Sequence, residues 1–553
     1  MAAATLGTML TLLPGCPVPP DNSNGNQNTN SNANLNSNSS ANTNTNSGSG
    51  NTNTNVNDNS PAPSALTLTA IATVADSVPG QAAGATFTDF GVPVIDETGR
   101  VAFWAQYTGG AGVGGLFVRD GDTLRNVVDD DPAARGEVPG RNNADFFGRY
   151  VGRSDFDPLA LPLGWGAGDR LLFGTPIAGG GDSRGYFRWR ASDQNLIRIV
   201  DLEQFTQPFA ARFGNAVLDW TQRGVSVSDA GLVAFGATYT LLGTNVPGQI
   251  AFGTGVFTSD GRGATVISDR FLADASVPDQ PTAARYTAFG NNVAQNPAGD
   301  VFFQATYSGG NGTRGLFMAR GGQSFRVIDN RANGSFAGIA TGTTVGGAQT
   351  FADAVAVSNN FIVVDTALTS GGQARNAIIR WSWAQRRWTE ITGENNAPAD
   401  ALLTGVNERG QFAFLSAGRP FLNDGSQSVR LDANLPAALS GATIRWDAGG
   451  SISRAGRVLL RYTRDPDSTV LASPGAVMWT GTQLLIVADS GANIPAADIF
   501  EIGILSLPEQ DRPGRNGAIN NANQAVLRVR RRGPDGQANT ADDIDAIFRV
   551  SGT

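Results

Sequence analysis

The stretch Ile95-Asp-Glu-Thr-Gly99-Arg-Val-Ala-Phe103-Trp-Ala-Gln-Tyr107-Thr-Gly-Gly110 returns, in altered form, about eight times along the chain. A near-copy stands at Gly299-Asp-Val-Phe-Phe303-Gln-Ala-Thr-Tyr307-Ser-Gly-Gly310. Aligned on the aromatic position, the copies place Phe103, Phe173, Phe235, Phe303, Val364, Phe414, Leu460 and Leu527 in register. Four residues before it stands a turn residue. It is glycine in five copies (Gly99, Gly231, Gly299, Gly410 and Gly456) and asparagine in two (Asn360 and Asn523). Both residue types suit a left-handed backbone in a hairpin turn. The second copy departs, with Asp169 in register and Gly168 one place early.

After the turn, the residues alternate. Val101, Phe103, Ala105 and Tyr107 face one way, and Ala102, Trp104 and Gln106 the other, which predicts a strand. A second strand begins at Gly115-Leu-Phe117, Gly185-Tyr-Phe187, Gly255-Val-Phe257 and Gly315-Leu-Phe317, and in later copies at Ala377-Ile-Ile379, Ala476-Val-Met478 and Ala546-Ile-Phe548. A third covers Leu124 to Val128, Leu196 to Val200, Phe325 to Ile328 and Leu484 to Val487. A weaker one precedes the motif near Phe90, Phe213 and Phe289. The reference positions lie 70, 62, 68, 61, 50, 46 and 67 residues apart, room for four antiparallel strands with variable loops.

One such sheet cannot bury its own faces, so neighbours must stack. Radial stacking protects the sheet edges, and the reading is an all-β β-propeller. It predicts eight four-stranded blades, with seven as the alternative count and an open solenoid as the alternative architecture. The chain ends favour closure. The last unit stops after Asp545 to Val550 without its third strand, whereas Leu66 to Asp76 precedes the first unit and matches Gln483 to Asp489. The N-terminal strand is therefore expected to complete the last blade.

Composition narrows the chemistry. Among 553 residues there is no histidine, which excludes His-based acid–base catalysis and His-ligated zinc. All 40 basic residues are arginine, which reads as coding bias. The net charge of −8 and the scattered arginines argue against nucleic acid as a partner. The run Arg528, Arg530, Arg531 and Arg532 reads as a solvated strand face.

Cys16 is the only cysteine and follows the apolar run Leu6 to Leu13. The context resembles a bacterial lipoprotein signal, which makes residues 1–16 a signal segment and Cys16 the lipidated residue. Pro14 and the lack of a preceding positive charge are atypical of such signals. The run is too short to span a bilayer as a helix. Residues 17–63 are dominated by Asn, Ser, Thr and Gly and carry almost no apolar side chains, so a disordered tether is expected. The propeller is assigned to residues 64–553.

The best metal candidate is the loop Gly533-Pro-Asp535-Gly-Gln537-Ala-Asn539-Thr-Ala-Asp542-Asp543-Ile-Asp545. Its Asp535, Asn539, Asp542, Asp543 and Asp545 supply oxygen ligands of the kind Ca²⁺ takes, and a structural ion there would clamp the ring closure. It resembles the Gly-Pro-Asp-Gly…Thr-Ala-Asp-Asp loops of bacterial surface proteins, which are associated with calcium. Equally, Asp and Asn in such a loop serve as turn formers. Acidic residues such as Asp76, Asp129, Asp201, Asp329 and Asp489 fall at similar repeat positions, which reads as structural capping rather than catalysis. The tryptophans fall in or beside strands, where packing is the default. No catalytic residue is assigned.

Residues 66–550 resemble tandem-repeat, propeller-like proteins of bacteria such as planctomycetes and myxobacteria. The matching pattern is Ile-x-x-x-Gly-x-Val-Ala-Phe-x-Ala, then Gly-x-x-Gly-Leu-Phe, best seen at Ile95 to Val128 and Gly299 to Ile328. The units near Gly164 and Thr404 depart from it. The resemblance implies an exported or surface-attached protein and supplies no activity. The functional expectation is a monomeric, non-enzymatic binding or scaffold module on the bacterial outer surface or in the periplasm. It would take a protein or glycan ligand and be held to the lipid membrane by its N-terminus. The alternative is a secreted carbohydrate-active enzyme using acidic residues at the propeller channel.

Overall fold

A computed structural model describes the chain from residue 66 to residue 552 with interruptions, the longest being 147–162, 201–214 and 504–516. Cys16 and residues 17–63 lie outside the described residues.

Alternating strand residues bury one sheet face against each neighbour, and the result is eight antiparallel sheets, each with four principal strands and some with a short extra one. Blade 1 runs Thr86–Phe90, Val101–Thr108, Gly114–Asp120 and Thr123–Asp129, from the inner edge to the outer. Blade 4 repeats it with Arg285–Gln295, Val301–Ser308, Arg314–Arg320 and Gln323–Asp329. The two departing units also form blades. Blade 2 is built on Arg170–Ala178 and Ser183–Arg190, and blade 6 on Phe412–Ser416 and Arg419–Asn423. Blade 8 takes Ile499–Gly503, Ala525–Arg531 and Ile544–Gly552 from the C-terminal end and Leu66–Thr73 from the N-terminal end. The eight-bladed ring closed by the first strand, as the truncated last unit predicts, is therefore the fold.

The reference positions meet the second strand directly. Phe103 pairs with Phe117, Phe173 with Phe187, Phe235 with Phe257, Phe303 with Phe317 and Phe414 with Phe421. Four of these ring pairs stack at 5.5–6.1 Å. Such contacts add to area burial because offset rings align edge and face charge. In blade 7 the partner of Leu460 is Val477, so Gly475-Ala-Val477 is the true counterpart of Gly115-Leu-Phe117 and the expected Ala476-Val-Met478 is one residue late. In blades 1, 2, 3, 4 and 7 a bulge interrupts the second strand's outer pairing at this place. Bulges increase local twist, and here they recur with the sequence motif.

The turn residues behave largely as expected. Gly99 has φ 90° and Asn523 has φ 61°, and Gly168 and Asp169 both adopt positive φ in the displaced second copy. Asn360 does not. It stays out of the left-handed region and instead donates its side-chain amide to Glu408 O of blade 6 at 3.0 Å.

These turns also join the blades. Asp229 N donates to Pro297 O at 3.2 Å, and Ala298 N to Asn359 Oδ1 at 3.0 Å. Asn407 Nδ2 reaches Ser453 O at 3.1 Å, Arg454 N reaches Asn521 Oδ1 at 2.8 Å, and Asn520 Nδ2 reaches Asp96 O at 2.8 Å. Arg170 Nη1 donates to Asp229 O at 3.0 Å, and the Arg100 guanidinium lies 5.2 Å from the Trp165 ring centre. Every seam of the ring is crossed at its row of turns. Arginine serves here as a blade-to-blade clasp, a use that composition alone did not reveal.

Candidate functional site

Three kinds of acidic side chain must be told apart. The recurrent ones close the outer strand. Asp129, Asp269, Asp329 and Asp489 are each at most 1 % exposed. Each lies opposite a glycine of the second strand, two residues before the partner of the reference position: Gly115, Gly255, Gly315 and Gly475. A tyrosine four or two residues after the reference position supplies a hydroxyl nearby. Tyr462 donates to Asp489 Oδ2 at 2.7 Å, Tyr307 to Asp329 Oδ2 at 3.1 Å, and Tyr239 to Asp269. In blade 1 Tyr107 turns instead to Asp130 at 3.4 Å, and Asp129 accepts from Gln81 Nε2 at 3.0 Å and from Asn126. Burial pushes the tyrosine hydroxyls far above their usual range, and the neighbouring carboxylates push the same way. Burial also raises Asp129 and Asp489. These carboxyls satisfy internal donors and are sealed from solvent, so they are poorly placed to touch a substrate.

The second kind does not recur. Where blade 8 meets blade 1, Arg528 is 8 % exposed and its guanidinium collects three carboxylates. Arg528 Nε donates to Asp545 Oδ1 and Oδ2 at 3.1 and 3.0 Å, and Nη2 donates to Asp545 Oδ2 at 2.8 Å and to Asp89. Glu501 stands 3.8 Å from Nη1 and pairs with Arg530 at 2.9 Å. Asp545 also accepts from Phe90 N of blade 1 at 3.1 Å. Burial pushes the Asp545 carboxyl up to about 7, with Arg528 pulling it down and Asp89 adding to the rise. Burial works against the Arg528 charge, but the hydrogen bonds it donates to Asp545 and the charges of Asp545, Asp89 and Glu501 hold its pKa above the ordinary value. The side chains of Asp89 and Glu501 keep 33 % and 43 % of their surface exposed, so this cluster has a wet side on the inner strands.

Arg528 occupies the position just after the reference leucine. In several blades that position reaches into the next one, though it is glycine at Gly174 and Gly236. Trp104 packs on Phe173 at 5.8 Å, Gln304 donates to Ala352 O at 3.1 Å, and Asp365 accepts from Leu402 N at 2.9 Å. A charged residue there was the available sequence signal. The reading of Arg528 as part of a solvated face is therefore corrected: it is buried in the seam, with Arg530 half-buried beside it.

The third kind is the expected metal loop. Asn539 and Asp542 lie outside the described residues. Asp543 Oδ1 accepts from Gly533 N at 3.3 Å, and Asp535 Oδ1 accepts from Gln537 N at 2.7 Å, both turn contacts. Asp545 is held by Arg528. Among the described residues no group of three or more His, Cys, Asp or Glu is placed to hold a metal ion. The tryptophans at 104, 165, 189, 388 and 446 are buried, and those at 381, 383 and 479 are half-buried. Trp220 and most of the large insertions, Asp131 to Gly168 and Thr240 to Gly253, lie outside the described residues. Among the described residues no helix is long and apolar enough to cross a membrane.

No family model matches the chain, and no curated protein matches it. Among solved structures, it is similar to a puromycin-hydrolysing peptidase of Mycobacterium tuberculosis, with 12 % identity and a TM-score of 0.36 over 82 % of this chain and 60 % of that one. It is similar to the β-propeller domain of the Trilobed protease of Pyrococcus furiosus, described as having an open velcro topology, with 8 % identity and a TM-score of 0.34 over 74 % of this chain and 99 % of that one. An oligogalacturonate lyase in complex with manganese gives 10 % identity and a TM-score of 0.35 over 74 % and 96 % of the two chains. The chain thus spans about 60 % of the length of the peptidase. At these identities and scores the likeness bears on neither activity nor ligand.

Proposed function

We propose that this chain is a non-enzymatic binding or scaffold propeller of the bacterial cell surface or periplasm, attached through a lipidated Cys16. One observation carries the non-enzymatic reading. The recurrent aspartates are sealed hydrogen-bond acceptors, and the three carboxylates gathered around Arg528 are spent on joining blade 8 to blade 1. Ligand recognition then falls to the unrepeated loops, where a fold of repeated blades differs from one blade to the next. A glycan array paired with a hydrolysis screen of the full chain tests this. Binding without turnover fits the module, whereas release of reducing ends from any polysaccharide sinks it. For the anchor, radiolabelled palmitate is expected to enter the wild-type chain and not Cys16→Ala; label in neither removes the anchor from the proposal.

A second reading has its own supporting observation. Asp89 and Glu501 are partly open to solvent on the Arg528 guanidinium, and a pair of accessible carboxyl groups is what acid–base glycoside chemistry uses. If the hydrolysis screen is positive, Asp89→Asn and Glu501→Gln are expected to abolish it. A structural Ca²⁺ near Asp535 and Asp543 remains part of the proposal, and titration calorimetry with Ca²⁺ on the full chain tests it. Absence of both heat and a melting shift would remove the ion.

A further inference from the structure

Blade 8 and blade 1 are joined at two radii by two separate sets of bonds. The outer set is the N-terminal strand Leu66–Thr73, laid antiparallel on Ile544–Gly552 from Leu66 opposite Gly552 to Thr73 opposite Ala546, with a slip between Ala70 and Ala72. Its grip is thin. Thr67, Thr69 and Ala70 are exposed, and only Ile71 and Ala72 are buried. Its far end is tied separately to blade 1. Thr73 N donates to Asp76 Oδ2 at 2.8 Å, Phe87 N donates to Asp76 O at 3.3 Å, and Ser77 bridges Thr86.

The inner set uses no residue of Leu66–Thr73. Ile95 N donates to Gly517 O at 3.2 Å, Asn520 Nδ2 to Asp96 O at 2.8 Å, and Asn521 N to Glu97 Oε2 at 3.0 Å. Arg549 Nη1 donates to Gly99 O at 3.3 Å, Phe90 N to Asp545 Oδ2 at 3.1 Å, and Arg528 grips Asp89. Asn520 and Asp96 are 1 % and 3 % exposed, so the Asn520–Asp96 bond lies in a dry seam, as does that of Phe90 to Asp545, and breaking them leaves buried polar groups unpaired, whereas the Asn521–Glu97 bond is exposed. The N-terminal strand buries only Ile71 and Ala72 fully, with Leu66 and Leu68 partly buried against the core, and its backbone groups can pair with water as it leaves.

We infer that Leu66–Thr73 is a detachable strap: it leaves the edge of blade 8 by local opening while the ring stays closed through the inner latch of Asn520, Arg528, Asp89 and Asp96. The hinge is the tied segment at Asp76–Ser77. A pull arriving from residues before Leu66 is then absorbed by one edge strand and not by the ring. The inference concerns the folded ring and holds whether or not the N-terminus carries lipid.

Native-state hydrogen exchange on the full chain in rising, sub-denaturing urea tests it, because small openings and global unfolding respond differently to denaturant. Amides of Leu66–Ala70 and their partners in Phe548–Gly552 are expected to exchange at least about a hundredfold faster than those of Phe90, Ile95 and Val526, and with a weaker urea dependence. A shared rate and urea dependence for the two groups would overturn the strap. In Ile71→Asp the strap amides are expected to lose protection while Phe90 and Ile95 keep theirs. In Arg528→Met combined with Asn520→Ala the pattern reverses. Loss of protection at Ile95 in Ile71→Asp counts against the inference. Should either variant fail to fold, the wild-type exchange profiles decide it.

Discussion

Tyr462 and Asp489 stand 27 residues apart in the chain and 2.7 Å apart in space, both out of contact with water. A buried carboxyl without a donor bears the full cost of lost hydration. Tyr462→Phe leaves Asp489, among the described residues, the Arg464 guanidinium at 3.5 Å, and is expected to destabilise the ring by roughly 1–3 kcal/mol. Urea denaturation with an unchanged m value measures it, and a loss below about 0.5 kcal/mol would show that the hydroxyl is dispensable. Asp545 makes a prediction of the other kind. Its folded-state pKa of about 7 lies above its ordinary value of 3.8, so the folded chain holds a proton that the unfolded chain has released. Stability contributed at this site therefore falls as pH rises from near 4 to near 7, because the unfolded state binds fewer protons over that window. Asp545→Asn is expected to flatten that part of the pH profile and leave the remaining slope from Asp129 and Asp489 in place. An unaltered profile would show that Arg528 keeps Asp545 ionised throughout.

At the scale of strands, the glycine two residues before the partner of the reference position, Gly115, Gly255, Gly315 and Gly475, is a spacing device. A Cβ on Gly475 would lie 2.1 Å from a ring carbon of Tyr462, and one on Gly115 would lie 2.8 Å from Val128 O. In blade 7 the glycine lets Tyr462 lie across the strand and reach Asp489 of the third, and in blade 3 Gly253 makes the same room for Tyr239. Gly475→Ala is thus expected to displace the Tyr462 ring and cost about 1–3 kcal/mol, with Tyr462→Phe adding little once the ring has moved. Additive losses in the double variant would show that the two residues act independently. The Gly and aromatic positions were legible in the sequence because they repeat. Their link to the aspartates was not, because the tyrosine reaches across two strands and its hydroxyl leaves no periodic mark. The same holds for Asn360. Its place in the alignment suggested a left-handed turn, but a side-chain bond to the neighbouring blade determines its conformation instead.

For the whole molecule, the sequence by itself determined the class of fold, the strand order within a blade and the means of closure. All three follow from local patterns: alternation with period two, turn residues at a fixed offset, and a missing strand at one end matched by a spare one at the other. The tertiary structure decided which side chains meet at the closing seam. Arg528 and Asp89 are separated by 439 residues, and Phe90 and Asp545 by 455. No local spacing encodes such a pairing. It exists only because eight sheets, each turned by its packing on the last, bring the final blade back to the first, where a buried guanidinium must find carboxylates from both sides.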